Sequence, residues 1–131
     1  MRSNGKTAIG IGVDIVFVPR FEKMKPRLLN KLFTSGEIAY AQSKRRGAET
    51  YAGIFAAKEA IIKACSISGK TLLLGSIEIS HLEHGQPQAT FQGSRSYRVS
   101  LSISHEYEYA VAFVIVEKTK LNRIINNTVD S

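Results

Sequence analysis

Residues 54–65, IFAAKEAIIKAC, have a helical pattern that is apolar on nearly every side, and no other stretch constrains the fold as much. Two apolar stripes run along this predicted helix, through Tyr51, Phe55 and Ile62 and through Ile54, Ile61 and Cys65. A helix with so little polar surface must be enclosed by other elements. Lys58, Glu59 and Lys63 nevertheless lie within it, so enclosure would require a partner for each charge.

The periodicity after residue 70 changes from helical to alternating. SIEISHL with PQATF predicts one hairpin, and VSLSISH with YAVAFVIVE predicts a second, whose nearly all-apolar last strand should be central. Helices followed by hairpins predict an α+β fold, with a mostly antiparallel sheet packed against the long apolar helix. The length of 131 residues fits a single domain with a core over about residues 8–117, and we expect the polar C-terminal tail to be mobile.

The composition narrows the class of protein. Neither a signal peptide nor a membrane-spanning run is predicted, so we expect a soluble, cytoplasmic protein. The single cysteine, Cys65, suggests packing rather than redox or zinc chemistry. The formal net charge is +7, and residues before position 47 include ten basic and three acidic side chains. This half should attract an anionic partner, which could be nucleic acid, a phosphorylated small molecule or an acidic protein.

The first predicted strand, TAIGIGVDIVFV, has two unlike faces. One face carries five large apolar residues, and the other carries Gly10, Gly12 and Asp14. Glycines on the same side as a carboxylate leave room for a ligand or another backbone. A β-bulge beside a solvated aspartate fits the pattern equally well.

The segment between this strand and the long helix predicts two further helices. PRFEKMK should form a short helix that Pro26 disrupts, and Arg20, Met24 and Arg27 share one face if that helix persists. Thr34 and Glu37 have the spacing of a capping box. The helix that they begin should run towards the basic cluster at residues 44–46, and Glu49 should begin the long helix.

The charges of the long helix admit two interpretations. Glu59 and Lys63 have the spacing of an ordinary surface ion pair. Asp14 and Glu59 also carry carboxylate oxygens, the donors that Mg²⁺ uses together with substrate phosphates. Lysines would then contact those phosphates.

His105, at the end of LSISH, either donates to phosphate or faces solvent. His81 and His84 lack metal-ligating companions and are interpreted as surface residues.

Three segments in this order, GIGVDIV, FAAKEAIIKA and SISHEYEYAVAFVIVE, resemble the signatures of the holo-(acyl-carrier-protein) synthases, the small 4′-phosphopantetheinyl transferases. LFTSGEIAYAQ and the turn at residues 85–87 also match, so the resemblance covers roughly residues 8–117. It implies the fold of that family and transfer of 4′-phosphopantetheine from coenzyme A to a serine of apo acyl carrier protein. Adenosine 3′,5′-bisphosphate would be released.

The resemblance also implies roles for individual residues. Asp14 and Glu59 would hold Mg²⁺, Lys63 would neutralise the phosphates, and a carboxylate or a metal-bound water would accept the serine proton. His105, Lys44 and Arg45 would contact phosphates of coenzyme A. Arg20, Met24 and Arg27 would dock acyl carrier protein, which is an acidic helical bundle. Members of the family are commonly homotrimers with active sites between subunits.

Two single positions and one four-residue segment depart from the family pattern. Phe17 replaces a common Glu, Ile54 replaces a common Arg, and residues 65–68 replace a Phe-Gly-Thr-Gly loop. Asp14, Glu59 and Lys63 are retained, which favours an active, divergent enzyme. The alternative is a non-enzymatic basic module that binds nucleic acid, although its basic clusters lack interleaved aromatic residues.

Overall fold

The computed structural model describes residues 8–66 and 69–118. Its helices and strands, in chain order, are β1 (Ala8–Phe17), α1 (Pro26–Leu32), α2 (Ser35–Gln42), α3 (Gly47–Cys65), β2 (Glu78–His81), β3 (Pro87–Thr90), β4 (Tyr97–Glu106) and β5 (Tyr109–Lys118). The predicted α+β class is confirmed. The tail expected to be mobile begins at Lys118; that residue ends β5, and residues 119–131 lie outside the described residues.

Two antiparallel sheets are formed by the described strands. The larger sheet has the order β1-β5-β4, so the apolar last strand is central, as predicted. The second is the β2–β3 hairpin. The helix α3 packs across one face of the larger sheet, and its buried side includes Ile54 and Ile61. This helix–sheet interface forms the centre of the hydrophobic core.

The glycine face of β1 is the face that packs on α3. Gly10 and Gly12 are buried, whereas the apolar residues that alternate with them are exposed. A Cβ atom at Gly12 would lie 1.8 Å from the backbone oxygen of Ala60 on α3. The glycine therefore leaves room for another backbone, which is the first of the two interpretations of this strand. The strand also brings Asp14 to the same helix.

A buried ion pair joins three helices to the small sheet. The Lys58 ammonium donates hydrogen bonds to Glu37 Oε1 at 2.6 Å and to the Leu32 carbonyl at 2.9 Å. Glu37 Oε2 accepts from the Ile79 backbone N–H, and both charged side chains are fully buried. The expectation that Lys58 contacts phosphate is wrong, because its ammonium is enclosed and already has its partners.

Glu37 has a second role at the start of α2. The Thr34 side chain accepts from the Glu37 backbone N–H, and the Glu37 side chain accepts from the Thr34 backbone N–H, which completes the predicted capping box. The same carboxylate thus stabilises a helix end and neutralises Lys58. A partner for a buried charge was required by the apolar pattern around Lys58, and α2 supplies it.

The helix boundaries before α3 differ from those predicted. Pro26 begins α1 rather than disrupting a helix, because proline fits the first turn, where no backbone N–H is needed. The preceding residues Val18–Phe21 form only a four-residue 3-10 turn. Helix α3 begins at Gly47, two residues earlier than expected. None of the helices within the described ranges is long and apolar enough to cross a membrane.

We predict that Gly12→Ala destabilises the fold by about 1–3 kcal/mol, because the added methyl group would overlap the Ala60 backbone and force α3 away from β1. Urea denaturation measures this change. Gly75→Ala is the matched control, since its nearest neighbour would be the Lys31 oxygen at 3.8 Å. Equal unfolding midpoints for the two variants would contradict the close contact.

Candidate active site

Asp14 and Lys63 form an ion pair between β1 and α3. The Lys63 ammonium donates to Asp14 Oδ1 at 3.1 Å and to the Val13 carbonyl at 3.0 Å. The Asp14 side chain is 19% exposed and that of Lys63 is 54% exposed, so the pair lies at the rim of the helix–sheet interface. The two groups are open to a ligand on one side and held by backbone on the other.

Glu59 lies one helical turn before Lys63 and is partly buried. The interpretation of Glu59 and Lys63 as an ordinary ion pair is wrong, because Lys63 instead contacts Asp14. In the described part of the chain, the Glu59 carboxylate has no hydrogen bond or ion pair. Since desolvation without a partner is costly for a carboxylate, Glu59 is a group that a bound cation would stabilise.

Asp14 and Glu59 fit a magnesium ion better than a metal held entirely by protein ligands. Glu59 belongs to α3, and Asp14 lies against the same segment of that helix, because Gly12 approaches Ala60 and Asp14 contacts Lys63. No group of three His, Cys, Asp or Glu side chains that could hold a metal converges within residues 8–66 and 69–118. Mg²⁺ is commonly held by one or two carboxylates, with waters and phosphates as its other ligands. The donor set present therefore suits Mg²⁺ with a phosphorylated substrate.

His105 lies on the same face of the sheet as Asp14. Asp14 pairs with Ala112 and His105 pairs with Ala110, and both alanines are buried on the α3 side of β5. Two strand spacings, roughly 10 Å, separate the two residues across the sheet, and the offset of two residues along β5 adds about 7 Å in the other direction, so they lie about 12 Å apart. A single extended phosphorylated ligand can span that distance.

A cavity of about 140 Å³ opens beside His105 and extends to the β2–β3 hairpin. Gly53 lines this cavity. A Cβ atom at position 53 would lie only 2.7 Å from His105 Nε2, so the lack of a side chain there allows the imidazole to rest directly on α3. Nδ1 of His105 lies 4.0 Å from Glu49 Oε1. His105 is about a third exposed, which leaves it accessible from the cavity.

Tyr40 and His81 form a second wall of this cavity that sequence reasoning did not find. Their rings are stacked 3.9 Å apart with only 4° between their planes, and the Lys44 ammonium lies 4.7 Å from the Tyr40 ring centre. His81 is therefore partly buried, and the interpretation of it as a surface residue is wrong. The spacing of Tyr40 and Lys44 by one helical turn was a sequence signal, whereas nothing local pointed to His81.

A larger cavity, of about 620 Å³, lies beside the first. Arg45 and Arg46 line it, together with Glu49 and the tip of the β4–β5 hairpin at Tyr107. Glu49 is 4.0 Å from both Arg46 Nη1 and His105 Nδ1, so this carboxylate of the larger cavity lies close to the imidazole that lines the smaller one. Of the three expected phosphate contacts, His105 lines the smaller cavity and Arg45 the larger one, whereas Lys44 lies over the ring of Tyr40 in the wall of the smaller cavity.

Arg20, Met24 and Arg27 line one groove of about 500 Å³. They do not share a helix face, because the 3-10 turn, a connecting segment and α1 each supply one of them. The groove is basic, and its other charged lining residues are Glu22, Lys23, Lys25 and Lys31. It therefore favours an acidic partner.

A comparison of this chain with known protein families agrees with the fold and with this arrangement of carboxylates and cations. The family model of the 4′-phosphopantetheinyl transferase superfamily matches residues 10–114. The holo-[acyl-carrier-protein] synthase of Thermodesulfovibrio yellowstonii is 43% identical over 111 residues, which cover 82% of this chain and 96% of that protein. The chain belongs to the holo-(acyl-carrier-protein) synthase family.

Two solved structures support the same conclusion. The holo-(acyl-carrier-protein) synthase of Bacillus anthracis, in complex with CoA (3′,5′-ADP), aligns with a TM-score of 0.75 and 34% identity over 87% of this chain and 100% of that chain. The Chronobacterium ammoniagenes ACPS–CoA complex aligns with a TM-score of 0.72 and 30% identity over 86% and 99%. None of these similarities supports the nucleic-acid-binding alternative.

The positions that depart from the family pattern have packing partners here. Phe17 is 40% exposed and its ring lies 5.5 Å from that of Tyr109. Ile54 is buried in the wall of the His105 cavity, where an arginine would have added a cation. Cys65 is buried as expected, whereas residues 67 and 68 lie outside the described residues.

We predict that His81 makes the fold less stable in acid. Burial lowers the pKa of the His81 imidazole, and the nearby Lys44 ammonium lowers it further; Nδ1 is buried with no hydrogen-bond partner among the described residues. The unfolded chain therefore binds the proton more readily, so stability should fall as pH decreases below about 6.5.

His81→Phe keeps a ring against Tyr40 but cannot titrate. Urea denaturation at about pH 7.5 and about pH 5 should show a smaller loss of stability for this variant than for the unaltered chain. Equal losses for the two proteins would show that His81 is not a source of the acid sensitivity.

Proposed function

We propose that this protein transfers 4′-phosphopantetheine from coenzyme A to a serine of apo acyl carrier protein. The observation that carries the proposal is the grouping of Asp14, Glu59 and Lys63 where β1 meets α3, in a chain that belongs to the holo-(acyl-carrier-protein) synthases. A cation beside two carboxylates suits a reaction at a pyrophosphate, in which the charge on phosphate oxygens must be stabilised.

The reaction is a displacement at the β-phosphorus of coenzyme A. The serine oxygen forms a bond to this phosphorus while the bond to the oxygen of the adenosine 5′-phosphate breaks, and adenosine 3′,5′-bisphosphate leaves. Lys63, whose side chain is more than half exposed, neutralises charge on the phosphate oxygens. The serine proton passes to a carboxylate at the site.

Asp14 and Glu59 would hold Mg²⁺. The bound ion would add positive charge beside the pyrophosphate and so stabilise the charge that develops during transfer. Binding would also release Lys63 from part of its contact with Asp14, which frees its ammonium for the substrate. Partial burial and the absence of a partner at Glu59 in the described structure support this assignment.

The nucleotide end of coenzyme A would occupy the cavities around His105. His105 would contact a phosphate, with Lys44 and Arg45 as further cations. The separation of about 12 Å between His105 and Asp14 on one face of the sheet allows one ligand to reach both. Acyl carrier protein would dock in the basic groove through Arg20, Met24 and Arg27, which suits an acidic partner.

A homotrimer would cover the open face of the larger sheet. Ile9, Ile11, Val13 and Ile15 on β1 are 50–66% exposed, and Phe113 and Ile115 on the neighbouring strand β5 extend the same patch. Contiguous apolar surface of this kind marks an interaction site. We propose that the whole chain acts as one domain within this assembly, in the cytoplasm, where coenzyme A and carrier proteins meet.

Incubation of the protein with coenzyme A, Mg²⁺ and apo acyl carrier protein should add one phosphopantetheine mass to the carrier, as measured by intact-protein mass spectrometry. Asp14→Asn and Glu59→Gln should each slow transfer by about 100-fold or more, because each weakens the carboxylate pair that would hold Mg²⁺ beside the reacting phosphate. Glu83→Gln, at an exposed position of the β2–β3 loop, serves as the matched control. Absence of a mass shift with several carriers would overturn the proposed activity.

The assembly is tested by size-exclusion chromatography with light scattering. The unaltered chain should have the mass of three subunits, and Ile11→Glu should have the mass of one, because a carboxylate would be buried in the interface. Leu73→Glu is the control, since Leu73 is 74% exposed outside this patch. A monomeric unaltered chain would contradict the trimer.

A further inference from the structure

The guanidinium group of Arg20 rests against two aromatic rings. Its central carbon lies 5.8 Å from the ring centre of Phe21 and 5.4 Å from that of Phe55. The two rings contact each other, with their centres 5.6 Å apart and their planes tilted by 52°. Together they form an aromatic platform beneath a cation that is exposed at the edge of the basic groove.

Arg20 has no carboxylate partner within residues 8–66 and 69–118. Its guanidinium is therefore held by ring contacts, which leave its N–H groups available to a carboxylate. A long side chain that is already restricted loses less conformational freedom when a partner binds. The platform thus prepares Arg20 for an acidic partner without neutralising it.

The two rings differ in what else they do. Phe21 is only 4% exposed and belongs to the hydrophobic core, where it also contacts Phe33. Phe55 is partly exposed and lies on α3, one helical turn before Glu59. Phe55 therefore links the position of Arg20 directly to the helix that carries Glu59 and Lys63.

We propose that Phe55 is a positioning residue for carrier-protein docking, acting through Arg20. This inference rests on the proposed function, since it assigns to Phe55 the role of holding the cation that the acidic carrier contacts. Coenzyme A, which would bind at the His105 cavities, should be insensitive to Phe55.

The test compares steady-state kinetics of Phe55→Leu with those of the unaltered protein. Loss of the ring should raise the KM for apo acyl carrier protein roughly two- to fivefold, as expected for an exposed cation–π contact. The kcat at saturating carrier and the KM for coenzyme A should not change. Phe55→Tyr should keep the KM for carrier near its original value, because it retains the ring.

Coupling to Arg20 separates positioning from simple packing. Arg20→Ala should raise the KM for carrier, and Phe55→Leu should add nothing further in that background. Ile62→Leu is the matched control, since Ile62 is another partly buried apolar residue of α3. Phe55→Met provides a second ringless side chain if Phe55→Leu fails to fold, with urea denaturation as the check.

Two results would overturn the role of Phe55 while leaving the proposed activity intact. One is active transfer with an unchanged KM for carrier in Phe55→Leu and Phe55→Met. The other is an increase in the KM for carrier that is equally large when Phe55→Leu is made alone and when it is added to Arg20→Ala. That result would assign Phe55 to direct contact with the carrier or to packing. Failure of the unaltered protein to modify any carrier would instead overturn the proposed function itself.

Discussion

The close approach of β1 to α3 at Gly12 and Ala60 is the contact on which the candidate active site depends. The hypothetical Cβ atom only 1.8 Å from the Ala60 oxygen shows that the two backbones meet with no side chain between them. Two residues along β1, Asp14 consequently reaches Lys63, and Glu59 lies one turn away on the same helix. A larger residue at position 12 would separate these groups by moving the elements that carry them.

The same contact determines which face of β1 is left open. Strand side chains alternate, so placing the glycines against the helix turns the large apolar residues outward. Burying those residues against α3 would have given a better core for a single chain but would have moved Asp14 to the opposite face. A chain of this size thus keeps its carboxylate at the helix and leaves an apolar surface for another molecule to cover.

The charges in the apolar helix have separate physical roles. Lys58 is enclosed, and its interaction with Glu37 offsets the cost of burial because further hydrogen bonds satisfy both groups. Lys63 is at the rim, where it can exchange one anionic partner for another. These residues are close in sequence, yet their side chains point in different directions around the helix, so one faces the core and the other reaches the surface.

The sequence by itself determined the features that depend on local chemistry: the α+β order, the capping box at Thr34, the antiparallel hairpins and the glycine face of β1. Each follows from the period of the apolar residues or from hydrogen bonds within one turn. Only the tertiary structure decided that Lys58 pairs with Glu37, that His81 stacks on Tyr40 and that Arg20 lies on Phe55. These contacts join residues 21, 41 and 35 positions apart, respectively. Their partners are selected by how helices and strands pack, a property that no local pattern encodes.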